Sequence, residues 1–296
     1  MKKFIMALLR GLGYFGIFVG MQLVLGGILG IVLNVMLSVR YVASGQNMQD
    51  PAVAMRFSEE LVQLVNESAV PLTVVANALS LGVTCLIFVC GKKKIAKEVS
   101  LRKLHSGAIA PLIMLGLGLN VVTTIVMSFI PEEYLESYQQ ASESLSTDVG
   151  VMTVLLALVA APVVEEWFLR GLVYTRFKKG MPFVVATLLS SLLFGVMHGQ
   201  WLWMIYTAIF GLLLAWVFER TKSLYASILL HFGYNLCSML MQLIPETAPD
   251  WVGVAIISVA VVFTAVGWFL FVKTPKVEEP SEEDVAEPVV EASENF

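Results

Sequence analysis

The chain has 296 residues, of which 57% are hydrophobic and only 14% charged, with a formal net charge of −4. A soluble domain carries about a quarter of its residues as charged side chains, so a water-soluble globular fold is excluded. Mean hydropathy is +0.80, and the apolar residues come in runs of about twenty, the length a helix needs to cross about 30 Å of hydrocarbon.

Eight apolar segments follow one another along the chain, at 11–39, 70–90, 109–130, 149–177, 182–198, 201–218, 226–243 and 251–272. In lipid only helices and closed barrels satisfy every backbone polar group. Continuous rather than alternating runs select helices. The expected fold is an all-α, polytopic membrane bundle of about eight transmembrane helices.

The first run follows Met1-Lys2-Lys3, as a signal peptide would. It is too long for a signal core and has no clear cleavage site after it, so it counts as the first membrane helix. Between the first two runs, Phe57, Leu61, Leu64 and Val65 stand at helical spacing. That pattern suits either a short amphipathic helix at the interface or an ordinary exposed loop helix. Cys85, Cys90 and Cys237 all lie within apolar runs and are expected to be free thiols, with no disulfide framework.

Charge in the connections alternates. Basic residues gather at the N-terminus (Lys2, Lys3, Arg10), in the second connection (Lys92 to Lys103), in the fourth (Arg176, Lys178, Lys179), in the sixth (Arg220, Lys222) and after the last helix (Lys273, Lys276). The third connection instead carries Glu132, Glu133, Glu136, Glu143 and Asp148, and the seventh Glu246 and Asp250. The positive-inside rule then places both termini in the cytoplasm, which requires an even number of spans. The expected location is a cell membrane, spanned many times, of the bacterial plasma-membrane kind.

Four regions follow. Residues 1–148 hold three membrane helices and their loops, 149–243 a membrane core, 244–276 the last helix, and 277–296 an acidic tail. The tail carries eight carboxylates and no Lys or Arg, and its composition is that of a disordered segment. Without those eight, 15 acidic residues face the 19 basic ones, so the membrane body is about +4.

Ionisable groups deep in a membrane helix cost a few kcal/mol each and mark function by default. Here they cluster in the second half. The fourth run holds Glu165, Glu166 and Arg170; the fifth ends in Phe194-Gly195-Val196-Met197-His198; the seventh contains His231 and Asn235. Glu166 and Arg170 are four apart and share a helix face, as do His231 and Asn235. Glu165 is rotated about 100° from Glu166, so the two carboxylates serve different ends.

A carboxylate and a neutral imidazole can take a proton from water. A second imidazole and an amide can stabilise an oxyanion. The same atoms fit a metal reading, with Glu165, His198 and His231 around Zn and a position open for water; the metal-free and metal-dependent readings both stand open. Against both, Glu166–Arg170 could be a packing ion pair and each histidine a bond between helices. Membrane glue usually draws on small and hydroxyl residues, however, and five such costly groups favour a site.

The segments Glu165-Glu166-Trp167-Phe168-Leu169-Arg170, Phe194-Gly195-Val196-Met197-His198 and His231-Phe232-Gly233-Tyr234-Asn235 resemble the three motifs of the CAAX-protease and bacteriocin-processing family, also called CPBP or Abi. The resemblance covers roughly 149–243. It implies an intramembrane endopeptidase in which Glu165 activates water with His198. His231 and Asn235 would hold the oxyanion, and Glu166, Arg170 and Phe194 would support them, with Glu166 able to assist. Substrates would be membrane-associated, either CAAX-like or bacteriocin- and pheromone-like. Partners are therefore membrane lipids and such a peptide or protein, with no nucleic acid. Rival readings are a non-enzymatic scaffold or bacteriocin-immunity protein, and a proton-coupled transporter. One tension remains in the segment edges. At 1.5 Å per residue, His231, Glu165 and His198 stand at about 9, 18 and 24 Å from the basic edge.

Overall fold

The computed structural model describes residues 1–146, 150–245 and 247–277. Asp148, Glu246 and the acidic tail beyond Val277 lie outside the described residues. Among these, the fold is entirely helical. The main helices are α1 (Lys2–Ala43), α2 (Pro51–Cys90), α3 (Ile109–Met127), α4 (Glu132–Ser146), α5 (Val151–Lys178), α6 (Phe183–Val196), α7 (Trp201–Thr221), α8 (Leu224–Met241) and α9 (Asp250–Lys273). All except α4 and α6 are long and apolar enough to cross a membrane, which makes seven candidate spans and a multi-pass membrane protein.

The eight apolar runs each become a helix, but three depart from expectation. The fifth run yields α6 with only 14 residues, about 21 Å long and short of the hydrocarbon thickness. The first two runs belong to helices of 42 and 40 residues, about 60 Å each and twice that thickness. The stretch 43–69 is therefore neither an interfacial helix nor a loop helix. It is mostly the first half of α2.

Its start has a plain cause. Asp50 Oδ1 accepts from the Ala52 amide at 2.9 Å, and Pro51 occupies the first helical position, where its missing N–H costs nothing. The apolar stripe read from the sequence then packs on the end of α1, where Leu37, Tyr41 and Val53 are buried against Phe57, Leu61 and Leu64.

The main core centres on α5. Phe168, Leu169, Leu172, Val173 and Phe177 have no exposed surface. Phe168 stacks on Phe18 of α1 with centroids 4.7 Å apart. One core cluster runs from Phe18 through Leu112 and Phe168 to Phe271. The N-terminal helices and the motif-bearing helices thus share a single packed interior.

Two glycines seat α8 on α3. A Cβ at Gly116 would stand 2.3 Å from the Leu230 carbonyl, and one at Gly233 would stand 2.5 Å from the Ile113 carbonyl. Only small residues allow backbones this close, and close packing is what drives helix association where lipid is as apolar as the side chains.

The basic connections meet at one end of the bundle. Gly180 lies against the Lys3 backbone, Arg176 pairs with Glu98, and Ser223 Oγ donates to the Arg102 carbonyl at 2.6 Å. Arg220 Nη2 donates to the Val272 and Thr274 carbonyls at 2.6 and 2.9 Å. The other end carries α4, joined to the start of α7 by Gln200–Ser137 and by Tyr134 edge-on to Trp201.

Candidate active site

The motif residues sit where α5, α6, α7 and α8 meet, and the shape of α5 sets the site. Its backbone widens to π turns at Leu156–Ala160 and Trp167–Tyr174, on either side of Glu165 and Glu166. Such widened turns inside α-helices occur frequently at functional sites. The first has a traceable consequence. The Ala161 N–H reaches back five residues to the Leu156 carbonyl. The next amide in that register would serve Ala157, but position 162 is proline and has no N–H. The Ala157 carbonyl is taken instead by Asn235 Nδ2 of α8 at 2.9 Å. A side chain expected at an oxyanion thus also satisfies a backbone group that the sequence leaves without a partner.

Glu166 and Arg170 form the expected i,i+4 pair at 2.8 Å, with side chains 0% and 1% exposed. Arg170 Nη2 also donates to the Gly211 carbonyl at 3.2 Å, and its guanidinium lies 4.4 Å from the Phe194 ring centroid. Gly211 permits this approach, because a Cβ there would meet Ser191 at 3.1 Å and Phe194 at 3.2 Å. A buried charge pair of this kind needs further hydrogen bonds; the Gly211 carbonyl and His231 supply some, while Arg170 Nε and Glu166 Oε2 stay without a partner.

His231 joins this pair. Its Nδ1 lies 3.1 Å from Glu166 Oε1. Glu166 Oε1 already accepts from Arg170 and, as a carboxylate oxygen, accepts here too, which assigns the donor hydrogen to Nδ1. The opposite ring nitrogen, Nε2, points to Glu165 Oε2 at 3.9 Å, too long for a direct hydrogen bond. Glu165 Oε2 is buried with no hydrogen-bond partner. Each carboxylate leaves a buried Oε2 without a hydrogen-bond partner, but Glu166 is held through Oε1 by a guanidinium and an imidazole, while among the described residues no hydrogen bond holds Glu165 beside His231.

His198 stands apart from the carboxylates. Its Nδ1 lies 2.7 Å from the Phe194 carbonyl. A carbonyl only accepts, so Nδ1 is the donor and, in the neutral ring, Nε2 keeps its lone pair. Among the described residues no hydrogen bond or ion pair joins His198 to Glu165 or Glu166. Phe194 mediates instead, meeting His198 edge-on at 5.0 Å and His231 edge-on at 5.7 Å. The two imidazoles thus flank one ring, which removes the depth mismatch of the sequence reading. The short α6 carries His198 to that level.

The Zn donor set of Glu165, His198 and His231 is not gathered. Among the described residues no three His, Cys, Asp or Glu side chains converge to hold an ion. These residues, as placed, do not fit a three-ligand centre.

Three contributors escaped the sequence reading: the Ala157 and Gly211 carbonyls and Pro162. Proline within an apolar run is a visible signal of a freed carbonyl. The Gly211 carbonyl has no signal of its own, since every residue carries one.

Bundle and site together define a multi-pass membrane protein with a buried carboxylate–imidazole–guanidinium cluster. Residues 147–237, which contain all three motifs, match the family model described as Type II CAAX prenyl endopeptidase Rce1-like. Over 94 residues the chain is 26% identical to "Putative membrane peptidase YdiL" of Bacillus subtilis (strain 168), a stretch that is 32% of this chain and 38% of that relative. No solved structure matches. The resemblance carried by the motifs is thus shown for the membrane core.

Proposed function

We propose that the chain is an intramembrane endopeptidase that hydrolyses a peptide bond in a membrane-associated substrate of the CAAX-like or bacteriocin- and pheromone-like kind. The observation that carries this reading is the difference between the paired carboxylates. Glu166 meets both Arg170 and His231 through Oε1, its Oε2 being buried without a partner, whereas among the described residues no hydrogen bond reaches Glu165, whose buried Oε2 lies 3.9 Å from an imidazole nitrogen. Structural glue needs the first kind of carboxylate. A base needs the second.

In this reading Glu165 takes a proton from a water lying between it and the imidazoles. The hydroxide adds to the scissile carbonyl, and the resulting oxyanion is stabilised by the second amide hydrogen of Asn235, the first being held by Ala157, and by His231 when its Nε2 also carries a proton. Glu165 then passes its proton to the departing amine as the C–N bond breaks, leaving a carboxylate and a free amine. His198, with Nδ1 fixed on Phe194, offers Nε2 as a second proton acceptor. Glu166 and Arg170 orient His231 rather than react. Dry surroundings strengthen each of these interactions. The Rce1-like match and the likeness to a protein named as a membrane peptidase support the reaction class.

Comparative proteomics of membrane peptides from cells carrying wild type or Glu165→Ala tests the reading. The expected result is full-length substrates that accumulate only in the variant. A variant that leaves the peptide pool unchanged while keeping the cellular effect of the protein would favour a scaffold.

A further inference from the structure

We propose that the crevice between the start of α1, the end of α2 and the end of α5 binds the phosphate headgroup of an anionic glycerophospholipid.

The crevice holds about 470 Å³ and is built in two tiers. Arg10, Lys93 and Lys179 line its upper tier, and none of the three side chains has an ion-pair partner among the described residues. Arg176 and Glu98, which also line it, are already committed to each other. Three positive charges therefore face one space without compensation. Crowding of like charges costs energy, and the Lys179 ammonium shows it. Partial burial lowers its pKa, Arg176 lowers it further, Glu98 opposes, and Lys93 and Arg10 push down again. An anion placed there would offset the crowding by Arg176, Lys93 and Arg10.

The lower tier is apolar and consists of Gly13, Tyr14, Ile17 and Ile87. Ile87 is 43% exposed and belongs to a membrane-spanning helix, so this edge of the groove faces lipid, while Tyr14 and Ile17 pack partly against the core and form its floor. Gly13 has open space where a Cβ would stand, which leaves the groove unblocked. Cations above an apolar, lipid-facing groove match a phosphate above an acyl chain. A soluble phosphate or an acidic peptide would have no use for the second tier. Basic pockets on the positively charged side of membrane proteins take anionic headgroups by this chemistry, and Arg and Lys are the side chains suited to phosphate.

The test uses the full chain, purified in neutral detergent, delipidated and offered phosphatidylglycerol or phosphatidylcholine, with retained lipid counted by native mass spectrometry. Wild type is expected to keep phosphatidylglycerol preferentially. The variant Arg10→Gln/Lys93→Gln/Lys179→Gln is expected to lose about a hundredfold in this preference, at roughly fivefold per charge. Arg10→Lys/Lys93→Arg/Lys179→Arg, which keeps the charges, retains it. A control, Lys2→Gln/Lys103→Gln/Lys276→Gln, removes the same charge elsewhere and keeps the preference; an equal loss there reduces the effect to net charge and overturns the site. Displacement of the lipid by free glycerol phosphate at equal concentration overturns the lipid assignment. Binding that appears only in a chain ending at Val277 makes the acidic tail the occupant and overturns it as well.

Discussion

Replacing Arg170 by methionine removes three things at once from the interior: the 2.8 Å bond to Glu166, the 3.2 Å bond to the Gly211 carbonyl and the cation over Phe194. What remains is a Glu166 carboxylate with no exposed surface and only His231 beside it. Breaking a buried ion pair by deleting one partner costs about 3–5 kcal/mol, or roughly two to three and a half decades in the folding equilibrium. Removing both charges, as in Glu166→Gln/Arg170→Met, leaves no orphan ion and should recover at least half of that loss. Arg170→Lys keeps the charge but not the fork that reaches Gly211, and should cost about 1.5–3 kcal/mol, the worth of one charge-assisted hydrogen bond. Unfolding of the purified variants in mixed micelles, followed by tryptophan fluorescence, gives all three values and the coupling between the two sites. An Arg170→Met protein within about 1 kcal/mol of wild type, or a double variant no better than the single, would refute the view that this pair is a closed unit holding His231.

Glu165→Gln preserves shape and should leave stability within about 0.5 kcal/mol, as for a change outside the packed network, while peptide-bond hydrolysis in proteoliposomes falls by about 10²–10⁴; a parallel loss of fold would show a packing residue instead. Asn235→Leu strands the Ala157 carbonyl, so thermal unfolding should register about 1–3 kcal/mol and turnover a further drop of about 10²–10³. Pro162→Ala restores an amide that competes for Ala157, and is expected to raise helix stability by several tenths of a kcal/mol or more while lowering turnover, because Asn235 loses its anchor. Gly233→Ala forces a Cβ to 2.5 Å from the Ile113 carbonyl, so α8 must shift, at about 1–3 kcal/mol of overpacking. Loss of activity with unchanged stability in that variant would mean that the helix moves without strain.

The sequence alone determined the membrane class and the approximate positions of the apolar helices, and it singled out the ionisable residues as candidates for one site. Each of these rests on a local property: run length against bilayer thickness, and the rarity of charge within such runs. Helical spacing also determined that Glu166, not Glu165, pairs with Arg170, since only the former stands four residues away on the same face. The full length of α2 was not read from the sequence, which placed the second run at 70–90 and a separate helix before it; the structure joins them into one helix that starts at Asp50-Pro51. Tertiary structure decided what depends on partners distant in the chain. The pairing of His231 with both glutamates, 65 and 66 positions away, requires α8 to be seated on α3 through Gly116 and Gly233. The placement of His198 against Phe194, away from the carboxylates, follows from a helix of 14 residues ending inside the bundle. The second task of Asn235 arises because a π turn and a proline together free one carbonyl. Backbone carbonyls look alike in any sequence, and only packing decides which of them goes unserved and which side chain comes to meet it.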